Sequence, residues 1–123
     1  MMQNTGKTLV IGASTNEDRY SNKCVKLLRK HNIETVAVGN KEGIISGVQI
    51  QTGKPCEAKV QTIAIYLSPK NLESFHDYII GLKPERILFP PGTENPEFYK
   101  KANAHGIETE EACPLVMLNT GVY

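Results

Sequence analysis

Residues 8–14 read T-L-V-I-G-A-S, an apolar strand followed at once by a turn of small residues. The strand, Thr8–Ile11, carries apolar side chains toward both faces of a sheet, which is typical of a buried parallel strand. The turn, Gly12–Ser14, is small enough for the backbone to approach a ligand closely. This segment therefore predicts the first half of a βαβ unit.

An amphipathic helix is predicted after the turn, from Tyr20 to His31, with Ser21 as its N-cap. A helix that starts beside a glycine turn directs its first N–H groups and the positive end of its dipole at one point. We therefore expect the loop to bind phosphate groups. The alternative is a βα turn that needs Gly12 for its backbone conformation and binds nothing.

Strands and helices alternate along the rest of the chain, which predicts right-handed βαβ units. Further strands are expected at 34–38, 48–50, 62–67, 86–89 and 107–110. Two helices are expected to start at the caps Ser68-Pro69 and Asn95-Pro96 and to end at Gly81 and Gly106, and Pro55 is expected to open one helical turn. The apolar residues 115–118 should dock on the core. The predicted fold is one Rossmann-like α/β domain, residues 1–123, with an open, mostly parallel sheet of about five strands flanked by helices.

The composition is that of a globular protein, with 123 residues, 40% hydrophobic and 22% charged. A net charge of +1 argues against a general nucleic-acid binder, which usually shows a basic excess. Three cysteines without C-x-x-C spacing fit a reducing compartment. Because the N-terminus is polar and no apolar run approaches ~20 residues, we expect a cytoplasmic protein with neither signal peptide nor membrane partner. Apolar helix faces on so small a chain would allow a homodimer.

Four loops should meet at the carboxyl edge of the predicted sheet, where open α/β folds bind their ligands. These loops are 12–19, 39–41, 67–69 and 90–94, and residues 111–114 join them. The first loop has a single glycine, so it is not the G-x-G-x-x-G dinucleotide fingerprint. Arg19 adds to it a guanidinium that can bind phosphate in a bidentate manner.

The residues after the second strand indicate the type of nucleotide. An NAD site usually has Asp or Glu there to accept a hydrogen bond from the ribose. This chain has Gly39, Asn40 and Lys41 instead. The lysine disfavours NAD and favours a phosphorylated ribose, as in NADP or coenzyme A.

The motif V-I-G-A-S-x-N-x-x-R-Y-S, followed by V-x-V-x-N-K, resembles the small CoA-binding-domain proteins. That family is similar to the N-terminal CoA-binding domain of succinyl-CoA synthetase α subunits. The resemblance covers residues 8–118, and it implies non-catalytic binding of coenzyme A or an acyl-CoA. The ligases need a further domain with a phosphorylated histidine, so their catalysis is not implied.

The resemblance also implies which residues contact the ligand. The first loop would hold the phosphates, the segment after the second strand the adenosine end, and the end of strand 62–67 the pantetheine path. The residues so implied are Gly12, Ala13, Ser14, Asn16 and Arg19, then Asn40 and Lys41, then Leu67, Ser68 and Pro69. The thiol end would lie near Pro91, Gly92 and Cys113, where Cys113 is either a reactive thiol or a buried small hydrophobic residue.

Two other functions remain open. The first is an NADP- or NAD-binding redox sensor or minimal oxidoreductase. The second is a protein-interaction module with a vestigial site, because Glu17 and Asp18 replace a proline common in the family and put two carboxylates beside the phosphate loop. We expect no metal site and no catalytic residue, with His31, His76 and His105 as surface or cap residues.

Overall fold

The first strand, β1 (Lys7–Ala13), lies at the centre of a seven-stranded sheet in the computed structural model, which describes residues 6–123. The other strands are β2 (Thr35–Gly39), β3 (Gly43–Ile45), β4 (Val48–Gln51), β5 (Val60–Ile65), β6 (Arg86–Leu88) and β7 (Glu108–Glu110). Their order is β3-β4-β2-β1-β5-β6-β7, and every neighbouring pair is parallel except β3 and β4. The predicted Rossmann-like, mostly parallel sheet is confirmed, with more strands than expected.

The strand order reverses at β1. Strands β2 to β4 lie on one side of β1, and the chain then crosses over to place β5 on the other side. The two loops that follow β1 and β5 therefore diverge at this point. Ligands of open α/β sheets bind in the crevice that such a reversal creates.

Helices cover both faces of the sheet. They are α1 (Tyr20–Lys30), α2 (Pro69–Leu72), α3 (His76–Leu82), α4 (Pro96–Ala104) and α5 (Pro114–Thr120). Leu9 and Ile11 of β1 belong to the core cluster that contains Phe98 of α4, whereas Val10 belongs to the cluster that contains Leu28 of α1. Adjacent residues of a strand point to opposite faces, so β1 needs apolar side chains on both.

The start of α1 differs from the prediction. Arg19, not Ser21, is the N-cap, because its carbonyl accepts the first helical hydrogen bonds, from the amides of Asn22 and Lys23. Ser21 therefore lies inside the first turn, where it is buried.

The helix predicted from residue 69 to 81 is divided. A 3-10 turn, Glu73–Phe75, separates α2 from α3. Helix α3 ends at Leu82 rather than at Gly81, and its C-cap Lys83 has the left-handed conformation. Leu72 and Ile79 face the core on both sides of the break, so apolar periodicity alone could not detect it. The caps at Ser68 and Asn95 are confirmed by their side-chain hydrogen bonds.

Residues 42–61 have the least regular sequence pattern, and the structure differs from the prediction at two places within them. Strand β4 was expected, but its partner β3 was not, and the two form a hairpin through Ser46 and Gly47. Both turn residues have positive φ, as a type I′ turn requires. Residues 52–59 contain neither helix nor strand, so the predicted helical turn at Pro55 is absent. The apolar residues 115–118, which were expected to dock on the core, belong to helix α5, and Met117 and Leu118 are buried.

Within residues 6–123, no helix is long and apolar enough to cross a membrane. The expectation that the N-terminus is not a signal peptide concerns mainly residues 1–5, which lie outside the described residues.

Candidate functional site

A cleft of about 820 Å³ lies at the carboxyl ends of β1, β2 and β5, where the strand order reverses. Its volume falls within the range typical of small-molecule sites. The lining includes, of the residues predicted from sequence, Gly12, Ala13, Ser14, Arg19, Asn40, Lys41, Leu67 and Ser68. Segments far apart in the sequence thus meet in one cavity.

Gly12 shapes the floor of this cleft. Its φ of +95° is one that residues with a side chain rarely adopt, and β1 changes register against β2 between Ile11 and Ala13. A Cβ atom at Gly12 would lie 2.5 Å from the carbonyl oxygen of Tyr66. The amide of Tyr66 donates to the carbonyl of Ile11 at 2.8 Å, which keeps the two chains close. Only glycine fits at this position.

The loop after Gly12 is held by its own side chains. Ser14 Oγ accepts a hydrogen bond from the amide of Asn16 at 3.1 Å, and Asn16 Oδ1 accepts one from the amide of Asp18 at 2.9 Å. Asn22 Nδ2 donates to the carbonyl of Ser14 at 2.8 Å. These bonds fix the loop before any ligand arrives, which lowers the entropic cost of binding.

The N-terminus of α1 opens into the cleft without a side-chain cap. Arg19 makes no side-chain cap hydrogen bond, and the first turn contains no acidic residue. Arg19, Tyr20 and Ser21 all line the cleft. The first N–H groups of a helix have no partner within the helix, so this end offers donors and a positive partial charge to an anion.

The end of β2 forms the adjacent wall. A Cβ atom at Gly39 would overlap the carbonyl oxygen of Ala13, so the β2 end presses directly against the β1 loop. Lys41 follows, exposed, and its ammonium is the second cation among the lining residues after Arg19. Asp18 is the one carboxylate in that lining. Glu17 is outside it, with Oε2 3.9 Å from Lys26 Nζ.

The sequence did not indicate several other residues of the cleft. They are Tyr20, Thr52, Gly53, Tyr66, Asn71 and Phe75, whereas Thr15 belongs to the predicted loop 12–19. Thr52 and Gly53 follow β4, which pairs with β2 and so ends at the same edge. The glycine pair Gly47 and Gly53 around the short strand was the signal available for this position.

Five predicted residues do not line the cleft, namely Asn16, Pro69, Pro91, Gly92 and Cys113. The side chain of Asn16 bonds within its own loop. Pro69 is the first residue of α2, and Pro91 and Gly92 follow β6, one strand farther from the reversal. Cys113 caps α5, which packs beside α1 on one face of the sheet.

The buried thiol of Cys24 and the phenol of Tyr66 hold their protons. Burial raises the pKa of the Cys24 thiol to about 12. Burial, with the Cys24 thiol nearby, also raises the pKa of the Tyr66 phenol. A nucleophilic cysteine needs a lowered pKa, so Cys24 has the character of a core residue. Among residues 6–123, no group of His, Cys, Asp or Glu could hold a metal ion.

The comparisons with known proteins agree with this architecture. The family model described as "CoA binding domain" matches residues 6–119. This chain belongs to the CoA-binding domain family. The predicted family resemblance is therefore confirmed, and no curated protein matches the chain.

Solved structures extend the similarity to the whole fold of this CoA-binding domain. One crystal structure of an uncharacterized protein is 37% identical, with a TM-score of 0.95, 98% of this chain covered and 100% of the other. A hypothetical protein from Pyrococcus horikoshii OT3 is 21% identical, with a TM-score of 0.84 and coverage of 95% and 84%. A Thermus thermophilus structure is 19% identical, with a TM-score of 0.82 and coverage of 96% and 91%. At these lower identities the likeness shows the fold alone.

Proposed function

We propose that this CoA-binding domain binds coenzyme A or an acyl-CoA in the cleft at the reversal of strand order. The observation that carries the proposal is the open N-terminus of α1 beside Gly12, with Arg19 and Lys41 in the same cleft. Family membership supports the ligand class, because the family model is that of a CoA-binding domain.

In this proposal the diphosphate of CoA sits against the β1 loop. The loop backbone at Gly12 and Ala13 allows close approach, Ser14 and Arg19 supply donors, and the helix dipole stabilises the negative charge. Lys41, with Asn40 beside it, binds the 3′-phosphate of the ribose. These groups meet in one cavity because β1 and β2 are adjacent parallel strands.

The pantetheine arm leaves along Leu67 and Ser68, after β5. In this proposal the thiol end of CoA extends beyond the cleft, toward Cys113 and toward Pro91 and Gly92 in the loop that follows β6. Pro69 contributes by starting α2 next to Ser68, whose hydroxyl accepts the amide of Asn71.

Two observations favour functions other than CoA binding. Lys41 suits the phosphorylated ribose of NADP as well as that of CoA, so NADP binding by a redox sensor or minimal oxidoreductase is the second candidate. The Asp18 carboxylate lines the cleft and would repel phosphate, which favours a vestigial site in an interaction module.

A calorimetric titration of CoA into the wild type and two charge-reversal variants tests the proposal. Arg19→Glu should weaken binding roughly 10- to 100-fold, since a hydrogen bond to a charged group contributes about 1.5–3 kcal/mol. Lys100→Glu changes the net charge equally at an exposed position of α4 and should leave the affinity unchanged. Equal loss in both variants, or none in Arg19→Glu, would contradict a phosphate site at this loop.

A further inference from the structure

One wall of the cleft carries an aromatic ring paired with a cation. Phe75, the last residue of the 3-10 turn, is half-buried and lines the cleft. Lys54 Nζ lies 5.5 Å from the centroid of its ring. Lys54 is exposed and its side chain is flexible, so a flat ligand group can displace it from the face that it covers.

The ring and the loop that carries Lys54 are held together by Tyr78. The Tyr78 ring packs edge-on against Phe75, with centroids 6.2 Å apart and planes at 65°. Its hydroxyl donates a hydrogen bond of 2.5 Å to the carbonyl of Pro55, which follows Lys54. Residues 52–55 are thereby tied to α3, and the Phe75 ring is positioned in advance of binding.

This wall lies within reach of the proposed ribose position. Strand β4 pairs in parallel with β2, with Val38 opposite Gln51, so Thr52 and Gly53 emerge beside the segment that carries Lys41. A Cβ atom at Gly53 would meet no atom within 4 Å, so the space above this glycine is open. Lys41, Gly53 and Phe75 line the same cleft, so a base attached to a ribose at Lys41 would lie in the cavity that Gly53 and Phe75 also line.

A second aromatic ring on the cleft has a different setting. Tyr20 has Lys23 Nζ 5.3 Å from its centroid, but its side chain is 67% exposed and both residues belong to the first turn of α1. Phe75 is the less exposed ring and is braced by a neighbouring aromatic residue. Stacking is stronger on a surface that is already partly desolvated and fixed.

We propose that Phe75 is the stacking surface for the purine base of the bound nucleotide, in the part of the chain's cleft that Gly53 also lines. This inference rests on the proposed binding of an adenine nucleotide in the cleft. It names a base subsite distinct from the phosphate loop, on the connection from β4 and on the 3-10 turn between α2 and α3.

The test compares ligands with and without the base in matched variants. Affinities of CoA, adenosine 3′,5′-bisphosphate and 4′-phosphopantetheine are measured for the wild type, Phe75→Leu, Phe75→Tyr and Tyr99→Leu. Leucine preserves an apolar side chain against the core but removes the ring, and tyrosine restores the ring. Tyr99 is a half-buried aromatic residue packed on the same core cluster outside the cleft.

We expect Phe75→Leu to lose roughly 5- to 100-fold in affinity for CoA and for adenosine 3′,5′-bisphosphate, as removal of a stacking ring does. The affinity for 4′-phosphopantetheine should not change, Phe75→Tyr should match the wild type, and Tyr99→Leu should bind all three ligands normally. A general loss of folded protein would lower all three apparent affinities alike. The ratio of the affinity for CoA to the affinity for 4′-phosphopantetheine, which lacks the base, therefore reports the base contact.

The base subsite would be overturned if the wild type binds CoA and the ratio of CoA affinity to 4′-phosphopantetheine affinity is the same in Phe75→Leu. The proposed function would then still stand. The base subsite at Phe75 would also be overturned if this ratio falls in a Tyr20→Leu variant and not in Phe75→Leu, because the base would then stack on α1. If the wild type binds neither CoA nor adenosine 3′,5′-bisphosphate, the proposed function fails, and this inference fails with it.

Discussion

The side-chain amide of Asn22 donates a 2.8 Å hydrogen bond to the main-chain carbonyl of Ser14. Asn22 is only 2% exposed and belongs to the first turn of α1. The buried start of the helix is thus tied to the loop that precedes it. Because a buried hydrogen bond is costly to break without a replacement, the loop and the helix N-terminus behave as one unit.

Replacing this asparagine should loosen the loop. We expect Asn22→Ala to lower the free energy of unfolding by about 1–2 kcal/mol and to weaken CoA binding, since the Ser14 carbonyl loses its donor. Asn119→Ala, at an exposed position of α5, is the control and should change neither quantity. Denaturant unfolding and calorimetry measure the two effects. If Asn22→Ala is measurably destabilised but binds CoA with normal affinity, the hydrogen bond from Asn22 to Ser14 stabilises the fold without contributing to ligand binding, which contradicts the prediction.

Two glycines with positive φ should respond differently to alanine. Gly12 and Gly47 have φ of +95° and +81°, but only a Cβ at Gly12 meets backbone atoms, whereas one at Gly47 meets nothing within 4 Å. We expect Gly47→Ala to cost about 1 kcal/mol from backbone strain alone. Gly12→Ala adds a collision with the Tyr66 carbonyl and should cost roughly 3 kcal/mol or more. Equal unfolding free energies for the two variants would refute the close approach.

The 3′-phosphate of CoA provides a specific probe of Lys41. The wild type should bind CoA more tightly than 3′-dephospho-CoA, by roughly two- to fivefold, because an ion pair with an exposed lysine contributes up to about 1 kcal/mol. Lys41→Gln should lose this preference and keep its affinity for 3′-dephospho-CoA. A variant that retains the full preference would show that another group binds the 3′-phosphate.

Stability at mildly acidic pH should depend on His76. Burial, together with the nearby Lys101 ammonium, lowers the pKa of His76 below 6.5, although the Glu73, Asp77 and Glu97 carboxylates oppose this effect. The unfolded state therefore takes up a proton more readily than the folded state as the pH falls through that value, and stability decreases.

His76→Phe removes the titration but keeps a ring stacked on Phe98, where the two centroids are now 4.2 Å apart. Between about pH 7.5 and about pH 5.5, the wild type should lose more unfolding free energy than this variant. Denaturant unfolding at both pH values checks the difference. If the unfolding free energies of the wild type and of His76→Phe change equally with pH, the pKa of His76 does not differ between the folded and unfolded states.

The apolar runs of the chain were enough to predict the architecture. Strand β1 and the caps at Ser68 and Asn95 depend on local sequence, and the structure confirms them. The three-residue strand β3 was too short for any periodicity to show. The 3-10 turn before α3 escaped notice because the apolar face continues across it.

The cleft could be predicted only where it follows directly from a strand end. Gly12 and Lys41 lie just after predicted strands, and Arg19 ends the loop that follows the first of them; all three line the cleft. Phe75 is held at the cleft through contacts between residues distant in sequence, such as the hydrogen bond from Tyr78 to Pro55. The local sequence pattern does not indicate contacts between residues that are distant along the chain.

Thermal unfolding of the protein with CoA, acetyl-CoA, NADP and NAD, each at millimolar concentration, tests the central claim most directly. A ligand at about 100 times its dissociation constant adds about 2.7 kcal/mol to the free energy of unfolding, which raises Tm by several degrees for a domain of this size. The proposed function predicts such a rise with CoA or acetyl-CoA and little with NAD. A rise with NADP but not with CoA, or no rise with any of the four, would contradict it.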